Sequence, residues 1–373
     1  MPPNASKASW HQELVLSHRK PPWDKPVPAG QQRTFYVLSG SNICGPGDNG
    51  GHWCGYAKGT PQSLLFSSTD LVNWNFRHVF WRGPFKAANG KVLHNGGSLY
   101  TPDTFELPDG RQVLIYLMAG TIWQIGHFDA DKGVFTADGG NSSSGAEQGL
   151  GSCGQSLTDA KGRRVQFGWQ HVGIPGANFT GAQSLPRVIS AEPGGGLRFS
   201  PLPELATLHN TSTHLAKEFT PIAGASLLNF TMLEGIDQPT GLHNHIQLNI
   251  TLSTKADAGV SLCVQCSDGG QGVVIEVQLS AVGARPALSA TLGGAKQPLT
   301  LPAASIAAGS ARVTADIFTD GAVIELFANG GEVALSHTVA VAHGHGVGYS
   351  ASGAGGAVAM GLWQMQQSVF GAD

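Results

Sequence analysis

The sequence predicts an all-β protein, and three observations support that class. Glycine (52) and proline (21) are abundant in a chain of 373 residues whose hydrophobic fraction is 41%, which is typical of short strands joined by turns. Apolar runs of strand length, such as 34–39, 63–67 and 111–117, fill the chain between residues 30 and 190. No long run with the 3.6-residue period of a helix competes with them.

Farther along the chain the strand pattern becomes a regular alternation. Every second residue is aliphatic between 246 and 253, so we expect a half-buried strand with Asn249 toward solvent. Its predicted buried face consists of Ile246, Leu248, Ile250 and Leu252. The Asp-Gly pair at 320–321 and the Asn-Gly pair at 329–330 are preferred hairpin turns, because both residue types tolerate positive φ. These features predict a β-meander in the last third of the chain.

Composition and charge exclude several classes of protein. The net charge is −3 and no run of four basic residues occurs, so neither a nucleic acid nor an anionic membrane surface is an expected partner. No window of about 18 apolar residues predicts a transmembrane helix. The start of the chain, Met-Pro-Pro-Asn-Ala-Ser-Lys, lacks the apolar core of a signal peptide.

The Asn-x-Ser/Thr sequons nevertheless suit a secreted or vacuolar glycoprotein. Six of them occur, at Asn4, Asn141, Asn178, Asn210, Asn229 and Asn249. We predict glycosylation at the last five.

Several segments in order along the chain carry a family resemblance. The first segment is 67–74, Ser-Ser-Thr-Asp-Leu-Val-Asn-Trp, and the second is 99–107, Leu-Tyr-Thr-Pro-Asp-Thr-Phe-Glu-Leu. Three more follow with matching spacing, at 125–129, 155–169 and 183–188, and the last is 313–331. The series resembles glycoside hydrolase family 32, the β-fructofuranosidases, invertases and fructan hydrolases. The resemblance runs from about Trp23 to Gln366.

That resemblance implies an incomplete five-bladed β-propeller followed by a C-terminal β-sandwich. Blades correspond roughly to residues 23–80, 85–135 and 140–195. We expect about three to four blades, because a blade takes about 40 to 50 residues. The predicted domains are a partial propeller over 1–200, a connector over 201–220 and the sandwich over 221–373.

The resemblance also implies which residues would carry the chemistry. Retaining glycosidases use two carboxyl groups about 5 to 5.5 Å apart, one as nucleophile and one as acid/base. Tyr100 occupies the position of the family's acid/base glutamate, and a phenol with a pKa near 10 is a poor proton donor at neutral pH. No segment matches the Trp-Met-Asn-Asp-Pro-Asn-Gly motif that contains the nucleophile. We therefore predict no catalytic residue in this chain.

Four residues are candidates for binding substrate by the same resemblance. Asp24 lies about where the family has an Asp that grips sugar hydroxyls, although a turn aspartate before proline is nearly as common. Asp103 matches the Asp of the acid/base motif, where a role in shaping the loop outweighs substrate contact. Trp74 and Trp169 match family tryptophans, and either stacking on sugars or core packing fits them.

Cysteines and histidines indicate no metal or cofactor. Cys44 and Cys54 bracket a glycine-rich loop that they could bridge, whereas Cys263 and Cys266 resemble half of a zinc or redox site without the second pair. We expect the latter two to be buried or bystander thiols. The pairs His243 with His245 and His343 with His345 lack a third ligand set by any motif, so we expect surface histidines. No cofactor is predicted.

Three functional readings follow from the sequence. The first is a glycoside hydrolase by descent, a retaining β-fructofuranosidase acting on sucrose or fructans with impaired activity in this chain. The second is a catalytically inactive homologue that binds such carbohydrates, which the tyrosine at position 100 favours. The third is a truncated fragment that does not fold stably.

Overall fold

The structure is a computed structural model of the chain. It describes residues 15–17, 34–44, 52–53, 60–82, 85–86, 92–94, 102–117, 121–129, 131–138, 147–148, 154–173, 180–192, 196–234, 242–267, 271–281, 286–299, 308–339 and 344–366. Two compact units contain these residues. Unit 1 comprises 1–144 and 150–156, and unit 2 comprises 145–149 and 157–373.

Unit 1 contains two larger antiparallel sheets. The first has the order β1-β2-β4-β5, with β3 paired to β2. Its strands are β1 (Val15–Ser17), β2 (Phe35–Cys44), β3 (His52–Trp53), β4 (Thr60–Ser68) and β5 (Asn75–Arg82). A two-stranded sheet of β6 (Phe85–Lys86) and β7 (Val92–His94) follows. The second larger sheet is the meander β8 (Asp103–Glu106), β9 (Gln112–Leu117), β10 (Thr121–Asp129) and β11 (Val134–Ala137).

Apolar side chains from these two sheets form one core in unit 1. The buried members are Leu38, Leu65, Leu114, Tyr116 and Ile122, with Tyr36, Phe80, Trp81 and Phe135 packed against them. Burial raises the pKa of the Tyr116 hydroxyl above its usual value because the charged phenolate would lose its hydration. The two sheets are thus the packed layers that propeller blades require.

A second four-stranded sheet lies in unit 2, except that the first two residues of its first strand belong to unit 1. Its order is β13-β14-β17-β18, and a separate hairpin of β15 and β16 belongs with it in sequence. We call this four-stranded sheet the blade sheet. The bounds are β13 (Gln155–Thr158), β14 (Arg164–Phe167), β15 (Trp169–Gly173), β16 (Thr180–Gln183), β17 (Arg187–Ala191) and β18 (Leu197–Pro201).

The rest of unit 2 is a sandwich of a seven-stranded and a six-stranded sheet. The seven-stranded order is β12-β28-β27-β26-β21-β30-β19. Its strands are β12 (Glu147–Gln148), β19 (Leu215–Phe219), β21 (His243–Ser253), β26 (Ser310–Asp320), β27 (Val323–Ala328), β28 (Val333–Thr338) and β30 (Gly356–Gln364). The six-stranded order is β20-β29-β22-β23-β24-β25. Its strands are β20 (Thr231–Met232), β22 (Ala258–Cys266), β23 (Val273–Ser280), β24 (Ala287–Leu292), β25 (Ala295–Leu299) and β29 (Gly346–Ser352).

The sheets confirm the predicted class: four-stranded antiparallel sheets of the blade type precede a β-sandwich. Both hairpin turns of the predicted meander are present, with positive φ at Gly321, Asn329 and Gly330. The domain boundaries remain a prediction. The polar segment 201–220 contains 3-10 helices at Pro203–Leu208 and Thr211–Thr213 and the edge strand β19.

The sandwich core follows the alternation read from the sequence. The predicted inward residues of β21 are at most 2% exposed, whereas Asn249 is exposed. They face aliphatic residues of the other sheet, among them Val260, Leu262 and Val264 of β22. Burial of such side chains contributes roughly 1.5–3 kcal/mol each, so this core is the main source of stability in unit 2.

The expectation of free thiols at Cys263 and Cys266 is wrong, because the two form a disulfide. Residues i and i+3 of a regular strand point to opposite faces. The pairing of β22 with β29 shifts register between Val264 and Cys266, and Gln265 there has a φ of 52°. This bulge brings both cysteines to one face with their Cα atoms 5.9 Å apart. Cys44 is also disulfide-bonded.

A buried ion pair joins the blade sheet to the sandwich inside unit 2. Arg187 of β17 and Glu325 of β27 are 0% and 1% exposed and bond directly. Ser336 bridges them: its Oγ accepts from Arg187 Nη2 at 2.6 Å and donates to Glu325 Oε1 at 3.0 Å. The second carboxylate oxygen accepts from the Leu185 N–H at 3.0 Å, and Gln170 Nε2 donates to Oε1 at 3.4 Å. Burial lowers the pKa of Arg187, while the Glu325 carboxylate opposes that effect.

We expect Arg187→Met to destabilise the protein by about 3–5 kcal/mol, because it leaves the Glu325 carboxylate buried without its cation. The double variant Arg187→Met with Glu325→Gln should lose less, since the amide oxygen still accepts from the Leu185 N–H and no charge is buried. Urea-induced unfolding measures both. A double variant as unstable as the single one would contradict this account of the pair.

The turn after Asn329 should be intolerant of a side chain at Gly331. A Cβ there would lie 2.5 Å from the carbonyl carbon and oxygen of Phe199, and its φ of 89° already disfavours other residues. We expect Gly331→Ala to cost at least about 2 kcal/mol by crowding and backbone strain together. Gly330→Ala is the matched control, because open space surrounds that position and only the strain of about 1–2 kcal/mol remains. Equal thermal stability of the two variants would refute the close approach.

Candidate functional site

Asp103 begins β8 and is buried, with 1% of its surface exposed. The Ser156 N–H donates to Asp103 Oδ2 at 2.9 Å, and the Ser156 hydroxyl bonds the same oxygen. These bonds join residues 53 positions apart in sequence, all within unit 1. The carboxylate therefore ties the start of β8 to the start of β13, which fits the loop-shaping role.

Trp74 lies at the end of the turn between β4 and β5. Asp70 organises this turn, since its carboxylate accepts from the backbone N–H of Asn73 at 2.7 Å and of Val72 at 2.9 Å. These bonds, the Asn73 one foremost, hold the pKa of Asp70 well below its usual value. Leu71 adopts a φ of 62°, and its carbonyl accepts from Trp74 Nε1 at 3.3 Å. The indole is thus held by its own turn, and it is partly exposed.

Trp169 begins β15 and packs on the neighbouring strand of its hairpin. It pairs with Gln183, and its ring lies over Gly181, where a Cβ would come within 1.9 Å of Nε1. Gly181 has a φ of 86°, so both the conformation and the space at this position require glycine. The next residue, Gln170, contacts Glu325 of the buried ion pair. The ion pair therefore anchors the strand that carries Trp169.

The described residues contain only part of the predicted site. Asp103 and Trp74 lie in unit 1 and Trp169 lies in unit 2. Tyr100 and Asp24 lie outside the described residues. Substrate binding by Asp24, Asp103, Trp74 and Trp169 therefore stays a prediction.

Three predicted glycosylation sites are described. Asn229 and Asn249 are exposed, and Asn210 is half-buried. Asn210 Oδ1 accepts from the Ser212 N–H at 3.2 Å and from its hydroxyl at 2.6 Å, which caps the second 3-10 helix. Asn141 and Asn178 lie outside the described residues.

A histidine cluster on the outer face of the seven-stranded sheet was missed by sequence reasoning. His245 was expected at the surface, but that expectation is wrong because it is only 4% exposed. It stacks on Phe318 with ring centroids 4.0 Å apart, and its Nδ1 lies 2.7 Å from His209 Nε2. His243 is partly exposed and bonds Asp320 Oδ1 at 2.8 Å, which raises the pKa of its ring. No motif joins His209 to His245, so only the tertiary structure reveals the cluster.

His345 is half-buried, and His343 lies outside the described residues. Among the described side chains, no group of three or more His, Cys, Asp or Glu is placed to hold a metal ion. Within the same ranges, no helix has the length and apolar character needed to cross a membrane.

We expect Asp103→Ala to destabilise unit 1 by about 1–3 kcal/mol, because the half-buried Ser156 N–H loses its acceptor. Ser156→Ala is the matched control: it removes the hydroxyl but keeps the backbone bond, and should cost about 1 kcal/mol. Urea-induced unfolding with a unit 1 probe compares them. If Ser156→Ala lowers the free energy of unfolding more than Asp103→Ala does, the bond from the Ser156 N–H to Asp103 is not the main source of stability at this contact.

Comparison with protein-family models and with curated proteins gives no match. Solved structures do match. Fructan 1-exohydrolase IIa from Cichorium intybus has a TM-score of 0.67 at 15% identity, over 89% of this chain and 69% of that one. A GH32 β-fructofuranosidase from Bombyx mori has a TM-score of 0.59 at 16% identity, over 95% of this chain and 66% of that one.

Exo-inulinase from Aspergillus awamori has a TM-score of 0.57 at 18% identity, over 82% of this chain and 64% of that one. This chain thus spans about two thirds of the length of these enzymes. The chain has the fold of glycoside hydrolase family 32 enzymes.

Proposed function

We propose that this chain is a glycoside hydrolase family 32-like protein that binds sucrose or fructans, by descent a retaining β-fructofuranosidase, and that its hydrolytic activity is impaired. One observation carries the proposal. Where the structure describes them, the motif-bearing segments up to residue 188 fall on the sheets of the blade type and residues 313–331 fall in the sandwich, in a fold shared with fructan- and sucrose-processing enzymes. Related structures contain 1-kestose, sucrose and fructosylnystose, which supports a fructosyl saccharide as the ligand.

The impairment rests on the residue at position 100. A retaining glycosidase protonates the leaving oxygen and later activates water with one carboxylic acid. Tyr100 stands where the family has that acid, and a phenol, with a pKa near 10, is a poor proton donor at neutral pH and is almost never present as the base. This observation favours a second candidate function, binding without turnover.

We further propose a secreted or vacuolar glycoprotein. The support is the set of sequons, of which Asn229 and Asn249 are exposed and accessible to an oligosaccharide.

Calorimetry with sucrose and 1-kestose, paired with an assay of released fructose, tests the proposal. We expect heat of binding with little or no fructose, and no heat with maltose. Asp24→Asn should weaken binding by about tenfold, because a charge-assisted hydrogen bond of roughly 1.5–3 kcal/mol is replaced by a neutral one of roughly 0.5–1.5 kcal/mol. Asp131→Asn is the matched control, because Asp131 is an exposed turn aspartate in the same unit.

The outcomes separate the candidates. Absence of heat and of any thermal shift with every fructosyl saccharide would overturn the binding function. Fructose release at a rate typical of enzymes, about 1–1,000 per second, would overturn the impairment and leave the lineage intact. Binding with no release at all identifies the second candidate.

A further inference from the structure

Residues 203–214, named the strap below, connect β18 of the blade sheet to the edge strand β19 of the sandwich. An ion-pair cluster around Glu204 holds the start of the strap. Arg163 donates to both carboxylate oxygens of Glu204, at 3.0 and 2.9 Å, and Lys161 bonds the same group. The bonds from Arg163 and Lys161 lower the pKa of Glu204 to about 2. This anchor therefore stays ionised at any mildly acidic pH.

The end of the strap is held by histidines. His209 stacks on Trp363 of β30 with ring centroids 4.7 Å apart and planes 11° apart. His214 stacks on the same indole at 4.5 Å and 12°. Backbone bonds follow the same path: the Asn210 N–H donates to the Gln364 carbonyl at 2.8 Å. The strap end thus lies against the outer face of the seven-stranded sheet.

The hydrogen bond from His209 to His245 requires a particular protonation state. His245 Nε2 lies 3.0 Å from Asp316 Oδ1, and because a carboxylate only accepts, this nitrogen carries a hydrogen. In neutral His245 the other nitrogen, Nδ1, is then an acceptor, and His209 Nε2 donates to it across 2.7 Å. If only His245 is protonated, the bond survives with its direction reversed. If both rings are protonated, two N–H groups and two positive charges face each other.

Other charged groups around the pair decide how easily that state forms. They are His214 on the strap, His243 on β21 bonded to Asp320, Asp316 on β26, and Glu325 on β27 paired with Arg187. Trp363, on which His209 stacks, favours a charged His209 ring by cation–π attraction. Burial first, and then the neighbouring rings of His245 and His214, nevertheless lower the pKa of His209. Protonation of His209 while it is docked therefore costs free energy.

We propose that the strap is a pH-sensitive fastening, in which protonation of both His209 and His245 releases its end from the sandwich while its start stays bound to Arg163. The direction follows from linkage. The released His209 ring has the ordinary pKa of 6.5, whereas the pKa of the docked His209 ring is lower. Acidification below pH 6.5 therefore favours release. Loss of the fastening loosens the connection between the blade sheet and the sandwich.

Hydrogen exchange of the whole chain at pH 7.5 and pH 5.0, expressed as protection factors, tests the proposal. We expect the amides of Asn210 and Thr213 to lose about tenfold in protection at pH 5.0, the factor for the loss of one hydrogen bond worth about 1.4 kcal/mol. Core amides of β21 and β26 should change much less, which shows in the same experiment that the protein remains folded. The amide of Leu205, near the acid-stable anchor, should change less than that of Asn210.

His209→Gln removes the titratable ring at position 209 but can keep the hydrogen bond to His245, because the glutamine amide can donate to or accept from His245 Nδ1 without taking up a proton. This variant should keep the strap protected at both pH values. His337→Gln is the matched control: His337 is also half-buried with a pKa lowered by burial, but lies on β28 beside Gly293. It should retain the wild-type pH response.

Equal strap protection at the two pH values in the wild type would overturn the proposal. A loss at pH 5.0 in His209→Gln equal to that of the wild type would do so as well.

Discussion

The buried pair of Arg187 and Glu325 is the interaction that sets the position of the blade sheet on the sandwich within unit 2. Removing two charges from water costs several kcal/mol for each ion, and only a fully hydrogen-bonded arrangement offsets that cost. Here Ser336, Gln170 and the Leu185 N–H complete the arrangement around the carboxylate. The pair tolerates few other geometries. It therefore fixes the blade sheet, and with it the strand that carries Trp169, on the sandwich.

The sandwich can serve as that support because its own core is conventional. Alternating aliphatic residues from both sheets fill the interior, and the irregular features lie at its periphery. One is the bulge of β22, where Gln265 lies between the disulfide-bonded Cys263 and Cys266 and donates to the Gly321 carbonyl in the turn between β26 and β27. Another is the histidine cluster under the strap. The buried polar groups of the bulge and of the histidine cluster thus lie outside the aliphatic core of the sandwich.

The fold and the candidate site carry different amounts of functional information. A propeller-type scaffold with a sandwich supports several chemistries, and function resides in the residues of the site. The fold likeness is to fructan and sucrose enzymes, whereas position 100 bears a phenol in place of a carboxylic acid. The proposed binding of a fructosyl saccharide with impaired hydrolysis takes account of both observations. The Asp103 carboxylate accepts from the Ser156 N–H, and its role at the site stays a prediction.

Features with a local cause were determined by the sequence. Alternation in β21 follows from the two-residue period of a strand, and the turns at Gly321 and Asn329 follow from their tolerance of positive φ. The order of the motif segments was enough to predict blade-type sheets followed by a sandwich. Only the tertiary structure decided the burial of His245, because His209, which covers it, lies 36 residues away in sequence.

The same holds for Arg187 and Glu325, which are 138 residues apart, and for the disulfide, which needs a bulge set by pairing with β29. Local periodicity records which face of a strand is apolar. It contains nothing about which polar group will meet another once the sheets have packed, since that depends on the register and packing of strands distant in sequence.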